Sequence, residues 1–127
     1  MAVASLDASH EAHTVCREAL LRLKPALAGH AAFETFAVLT RMPPPARIRP
    51  SQASEVLRLA FPERCWLSVD DSEKLWRRLA DLELAGGSIY DAMIGAAARG
   101  AGRKLLTRDR RAVRVYRAVG ADHVLVE

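Results

Sequence analysis

The sequence predicts an α/β fold, a three-layer α/β/α sandwich built on a parallel sheet. Short apolar runs alternate along the chain with longer segments whose apolar residues recur every three or four positions, which is typical of strands alternating with amphipathic helices. Strands that are separated by helices pair in parallel through right-handed crossovers. The 127 residues, half of them apolar, suffice for one hydrophobic core, so we expect residues 1–127 to form a single domain.

The amino-terminal half predicts three helices and one weak strand. An apolar stripe over 12–23 predicts the first helix, with Ser9 as its expected N-cap. Residues 26–30 suit a short buried strand, and a helical stripe over 33–40 follows them. A third helix is expected to open at Pro50, because proline is favoured in the first turn.

The carboxyl-terminal half predicts three strands separated by three helices. The apolar runs that suit strands are 65–69, 104–107 and 123–126. Three helices lie between these strands: one has cap candidates in Asp70, Asp71 and Ser72, one is expected to have Ser88 as its N-cap, and the last spans 112–119.

Basic charge is concentrated near the carboxyl terminus. The whole chain carries +4, yet the window from Arg99 to Arg117 contains eight basic residues and one acid, a charge of +7. Arginine is a planar donor that binds phosphate through two hydrogen bonds at once. The clustering favours a face that binds a polyanion, the alternative being a solvated helix surface.

Three acids are expected at the carboxyl ends of the predicted strands, where ligand sites of parallel sheets lie. Asp109 follows the strand 104–107, Glu34 lies in the first turns of the helix after 26–30, and Asp91 lies in the first turn of the helix at Ser88. Carboxylates repel one another unless a cation offsets their charge, and Mg²⁺ or Mn²⁺ prefers oxygen ligands. Taken singly, each acid also fits a helix cap or a solvated position, and Ser88 with Asp91 fits a capping box.

Several other classes of site are not indicated. The chain has neither of the glycine-rich phosphate loops and no Cys and His spacing typical of zinc. Cys16 and Cys65 suit buried thiols in a reducing cytoplasm, His30 and His123 are isolated, and no apolar run is long enough for a membrane span.

Two segments carry a resemblance to a known family. The stretch 88–120 contains S-I-Y-D-A-M-I-G-A-A-A, then K-L-L-T-R-D-R-R, then V-Y-R-A-V-G. It resembles the carboxyl half of PIN-domain ribonucleases, and more narrowly the VapC toxins of bacterial toxin–antitoxin pairs. The segment F-E-T-F-A-V-L-T-R over 33–41 is similar to the family's second acidic segment.

The resemblance implies a three-layer fold that cleaves RNA, of the tRNA or rRNA class, with a divalent metal held by four acids. By motif, Glu34 matches the second acid, Asp91 the third and Asp109 the fourth, and Thr107 matches a polar residue that supports the metal-bound water. A VapB-type antitoxin, a homodimer and a cytoplasmic location are also implied. Candidates to bind the RNA backbone are the arginines beside Asp109, namely Arg108, Arg110 and Arg111.

The first acid has no match where the family places it, at the end of a first strand. We expect that strand and its Asp to lie upstream of Met1 or to be lost. In an alternative arrangement, residues 2–6 form a shortened first strand and Asp7 is the first acid. The missing acid leaves open a catalytically inactive PIN-like module that binds RNA or antitoxin only. A receiver-like regulator fits poorly, because Lys104 precedes its strand.

Overall fold

The computed structural model describes residues 1–127 and contains seven helices and four short strands. The helices are α1 (Ala2–Leu6), α2 (His13–Leu23), α3 (Gly29–Arg41), α4 (Pro50–Ala60), α5 (Val69–Arg78), α6 (Ser88–Gly100) and α7 (Val113–Ala118). The strands are β1 (Leu27–Ala28), β2 (Arg64–Cys65), β3 (Leu105–Thr107) and β4 (His123–Leu125). No helix is both long enough and apolar enough to cross a membrane.

Hydrogen bonds join the strands in two pairs, β1 with β2 and β3 with β4. β3 and β4 run parallel, with Leu105 opposite His123 and Thr107 opposite Leu125. The helix α7 lies between them in the chain, so this pair has the crossover that the alternating pattern predicts. The predicted α/β class and its parallel pairing are confirmed. The ladders are short because each strand has only two or three residues.

The chain forms two compact units. The first unit comprises Met1–Leu27, Ala31–Arg64 and Val126–Glu127, and the second comprises Ala28–His30 and Cys65–Leu125. That residues 1–127 act as one domain stays a prediction.

The first unit is held by apolar faces of its helices. Its main cluster contains Leu20, Leu27, Leu39, Leu57 and Phe61, contributed by α2, β1, α3, α4 and the residue that ends α4. In α2 the buried residues Cys16, Ala19 and Leu20 recur at three and four positions, which explains why the stripe over 12–23 forms a helix. Phe36 and Leu39 of α3 are three positions apart and pack in the same cluster. Pro50 opens α4 as predicted, and the Gln52 side chain accepts the Arg49 backbone N–H at 3.0 Å.

The alternative that residues 2–6 form a shortened first strand is wrong, because they are helix α1. This helix packs on α2, and its Ala4 joins Ala12 and Cys16 in a small buried cluster. Asp7 therefore follows a helix rather than a strand. Its carboxylate accepts hydrogen bonds from the Ser9 backbone N–H at 3.0 Å and the Ser9 hydroxyl at 2.7 Å. These bonds lower the pKa of Asp7 below its usual 3.8, and they place Ser9 in this turn rather than at the cap of α2.

The second unit has α6 at its centre. α6 contacts both α5 and α7, and its buried face is rich in alanine, which keeps the neighbouring backbones close. Gly95 lies where α6 meets the end of α7. A β-carbon built on Gly95 falls 2.8 Å from Val119 Cγ2 and 3.2 Å from Tyr116 Cδ1, so only glycine fits at this distance between the elements.

Two predicted features of this half differ from the structure. The strand over 65–69 is limited to Arg64–Cys65, because Ser68 is the N-cap of α5 and accepts the Asp71 N–H at 3.1 Å. Asp70, Asp71 and Ser72 therefore lie inside the helix instead of capping it.

Candidate active site

Asp109 lies in a short turn between β3 and α7 that two hydrogen bonds hold in shape. Thr107 is buried, and its hydroxyl accepts the Asp109 backbone N–H at 3.1 Å. The Asp109 carboxylate in turn accepts the Arg111 backbone N–H at 2.8 Å through Oδ1. Side-chain oxygens that bind backbone N–H groups two residues along the chain are the standard way in which Thr and Asp fix a turn. The local sequence T-R-D-R-R therefore holds Asp109 at the carboxyl end of β3, as predicted.

The Asp109 carboxylate is accessible to solvent and lies beside an exposed cation. The Arg111 Nε is 3.5 Å from Oδ1, and the two side chains are 94% and 47% exposed, respectively. An ion pair this exposed contributes little to stability, because water screens it and both side chains lose freedom. Both contacts of the Asp109 carboxylate, with the Arg111 N–H and the Arg111 Nε, are made by Oδ1. A ligand that approaches Oδ2 therefore meets no protein donor in this turn.

Asp91 lies in the first turn of α6 and is half-buried, next to the fully buried Ala92. The predicted N-cap Ser88 is wrong: Gly87 holds that position, and the Ser88 hydroxyl donates to the Ala85 carbonyl at 2.6 Å. The capping-box interpretation of Ser88 and Asp91 therefore fails, because a capping box requires the serine at the N-cap. The charge of Asp91 is still favoured at the amino end of a helix.

Glu34 lies in the second turn of α3 and is exposed. It belongs to the first unit, whereas Asp91 and Asp109 belong to the second. Neither unit by itself gathers three or more His, Cys, Asp or Glu side chains into a group that holds a metal ion. That the three carboxylates converge stays a prediction.

The donor chemistry of these residues suits a hard divalent cation. Asp91 and Asp109 offer only carboxylate oxygens, and no cysteine or histidine contact accompanies Asp109 in its turn. Oxygen-only ligands favour Mg²⁺ or Mn²⁺ over zinc, which prefers nitrogen and sulfur.

The arginine window contains side chains in different roles. The Arg99 guanidinium donates to the Val119 carbonyl at 3.1 Å and covers Gly120, whose φ is +74°, so it helps to end α7. Arg110 and Arg111 are exposed and Arg108 is half-buried, all three within two residues of Asp109. Three of the arginines in this window therefore lie within two residues of the acid.

One feature of this region is not evident from the sequence. The His30 ring stacks on the Tyr90 ring, with centroids 4.8 Å apart and planes inclined by 4°. The expectation that His30 is isolated is wrong. The two residues are distant in the chain and neither belongs to a short motif, so only the tertiary fold brings them together.

Comparison with known proteins agrees with the resemblance. Residues 2–118 match the model of the PIN domain family. The chain is 38% identical over 126 residues to Ribonuclease VapC27 of Mycobacterium tuberculosis, strain ATCC 25618 / H37Rv, covering 99% of this chain and 91% of that protein. It is 40% identical over 126 residues to Ribonuclease VapC40 of the strain CDC 1551 / Oshkosh, covering 98% of this chain and 92% of that protein. The chain therefore belongs to the PIN domain family.

Proposed function

We propose that this protein is a toxin ribonuclease that hydrolyses phosphodiester bonds of RNA, of the tRNA or rRNA class, with Mg²⁺ or Mn²⁺. The observation that carries the proposal is the similarity, over nearly the whole chain, to two proteins named as ribonucleases. The hydrogen-bonded turn that holds Asp109 among arginines supports it, because it combines an accessible carboxylate with phosphate-binding groups.

In this proposal Glu34, Asp91 and Asp109 hold the metal. A divalent ion in such a site supplies an activated water and offsets charge on the phosphate oxygens. Thr107 fixes the backbone of Asp109 and thereby the direction of its carboxylate. It is the candidate to support the metal-bound water as well.

The RNA backbone is held by cations of the same turn, Arg108, Arg110 and Arg111. Arg111 pairs with Asp109 in the free protein, but its exposure leaves it able to turn toward a phosphate when RNA arrives. Each phosphate neutralised in this way releases counterions, so affinity falls as salt rises.

The partners follow from the same similarity. We infer that a VapB-type antitoxin binds and inhibits the protein, that two copies form a homodimer, and that the protein works in the cytoplasm. The two cysteines are free thiols, which suits a reducing compartment; Cys16 is buried as expected, whereas Cys65 is only half-buried.

The test is RNA cleavage by the purified chain in Mg²⁺, in Mn²⁺ and in EDTA, with tRNA and rRNA as substrates. Cleavage is expected only with metal, and it should be weak because the family's first acid has no match in this sequence. The substitutions Asp91→Asn and Asp109→Asn should lower the rate by about 100-fold or more, since metal ligands supply several kcal/mol of transition-state stabilisation. Asp81→Asn, at an exposed acid of the second unit, is the matched control and should cleave like the wild type.

Two results overturn the proposal. Cleavage that persists in EDTA, or in the Asp109→Asn variant, contradicts the role of the metal and of this carboxylate. Binding of RNA without cleavage of any substrate supports the inactive PIN-like module instead.

A further inference from the structure

The His30 and Tyr90 rings form a parallel stack at the start of two helices. His30 is the second residue of α3 and Tyr90 is the third residue of α6, and both belong to the second unit. A centroid distance of 4.8 Å with planes inclined by 4° is the geometry of an offset stack, which the ring quadrupoles favour. The stack fixes the orientation of the Tyr90 ring.

Tyr90 keeps a large exposed surface. Tyr90 remains 51% exposed even though His30 covers one face of its ring. A large ring that is held in one orientation and left uncovered loses little conformational entropy when a third ring stacks on it.

The position of Tyr90 is next to a proposed metal ligand. Asp91 follows it directly in the first turn of α6, so their Cα atoms lie about 3.8 Å apart. The base and the phosphate of a nucleotide are joined through one sugar. A nucleotide whose phosphate is held through a metal ion at Asp91 therefore places its base near the amino end of α6, where Tyr90 lies.

The chemistry of the surroundings favours a nucleic acid over other ligands. Single-stranded RNA is recognised through bases that stack on Tyr, Phe, Trp or His, combined with basic side chains that bind the backbone. The second unit contains both components, the stacked ring beside Asp91 and the +7 window that surrounds Asp109.

We propose that Tyr90, backed by His30, stacks on an unpaired base of the RNA beside the phosphate to be cleaved. The inference rests on the proposed function, because it takes RNA as the substrate and Asp91 as part of its site. It assigns Tyr90 a positioning role: the ring selects single-stranded RNA and sets which phosphate lies at the carboxylates.

The test is RNA binding in EDTA, so that no cleavage occurs, measured by fluorescence anisotropy with a labelled single-stranded RNA. Tyr90→Ala should weaken binding by about 5- to 150-fold, which is what the loss of one stacked base corresponds to. Tyr90→Phe keeps the ring and should bind like the wild type. Trp76→Ala removes another exposed ring of the second unit, 74% exposed, and should leave binding unchanged.

A second ligand separates stacking from simple loss of fold or charge. An abasic oligomer of the same length and charge lacks the rings, so Tyr90→Ala should bind it as the wild type does. Removing the support through His30→Ala should weaken binding of the normal RNA only. Thermal unfolding of each variant confirms that the exposed substitution keeps the fold.

Unchanged RNA affinity in Tyr90→Ala overturns the inference, and so does an equal loss for normal and abasic oligomers. A loss of antitoxin binding with unchanged RNA affinity would make the ring a protein contact, which also overturns it. Because these measurements need no metal and no cleavage, they are independent of the nuclease test: a chain that binds bases through Tyr90 without cutting contradicts the proposed function alone.

Discussion

Gly95 lies in α6, the helix that carries Asp91, where α6 contacts the end of α7. The helix α7 follows Asp109 in the chain. A β-carbon at this position would lie 2.8 Å from Val119 Cγ2, 3.2 Å from Tyr116 Cδ1 and 3.4 Å from the Ala121 β-carbon. Val119 is buried and branched at its β-carbon, so it has little freedom to move aside. The substitution Gly95→Ala must therefore displace α6 from its neighbours by a few tenths of an ångström.

Two opposing effects set the magnitude. Overpacking a tight contact costs about 1–3 kcal/mol. Alanine is favoured over glycine inside a helix by about 0.8–1 kcal/mol. We expect a net destabilisation of about 1 kcal/mol, which lowers the Tm of a chain of this length by about 4 °C.

A double-mutant cycle isolates the collision. Val119→Ala alone removes two buried methyl groups and should cost about 2 kcal/mol. In that background the closest of the three colliding atoms, Val119 Cγ2, is absent, so Gly95→Ala should be neutral or stabilising by up to about 1 kcal/mol through helix propensity. The two substitutions should thus be coupled by about 1–2 kcal/mol in urea unfolding. Free energies that add to within about 0.3 kcal/mol would refute the close approach of α6 to the end of α7.

Three further predictions concern the turns and charges. Thr107→Val removes the acceptor for the Asp109 N–H. It should lower the free energy of unfolding by about 1 kcal/mol and the affinity for Mn²⁺ by about 10-fold. The control Thr14→Val, at an exposed threonine, should change neither. Asp7→Asn should lower the urea midpoint at neutral pH. Because the pKa of Asp7 is lower in the folded state, its carboxylate stabilises the fold above pH 3.8 and loses this effect as the pH falls through the folded pKa. The difference from wild type should therefore vanish in acid, and a difference that is constant with pH would contradict this. Alanine should also replace three arginines together, namely Arg108, Arg110 and Arg111. The triple variant should bind all RNAs more weakly and alike, and the slope of log affinity against log salt should fall by about 0.7 for each lost phosphate contact. An unchanged slope would place the RNA surface elsewhere.

Features that depend on local sequence could be predicted. The start of α4 at Pro50 and the position of Asp109 at the carboxyl end of β3 were both predicted, and residues a few positions apart hold them in place through bonds to the neighbouring backbone. The parallel pairing of β3 with β4 followed from the helix between them, because such a connection permits little else.

The errors arise where a local signal competes with another or where distant residues meet. The apolar run 65–69 suits a strand, but Ser68 ends it by capping α5 instead. Trp66 takes no part in β2; its ring lies over Gly29, which would clash with it if it carried a β-carbon. The His30–Tyr90 stack joins residues that are far apart in the chain, so no short pattern indicates it.

We propose that Glu34, Asp91 and Asp109 share a divalent cation. Crystals soaked with Mn²⁺, with data collected for anomalous scattering, test it directly. We expect one anomalous peak in contact with oxygens of these three carboxylates, at about 2.0–2.6 Å or through one water. A peak at other residues, or Mn²⁺ that binds Asp91 and Asp109 while the Glu34 carboxylate is too far away to reach it through a water, would contradict the assignment.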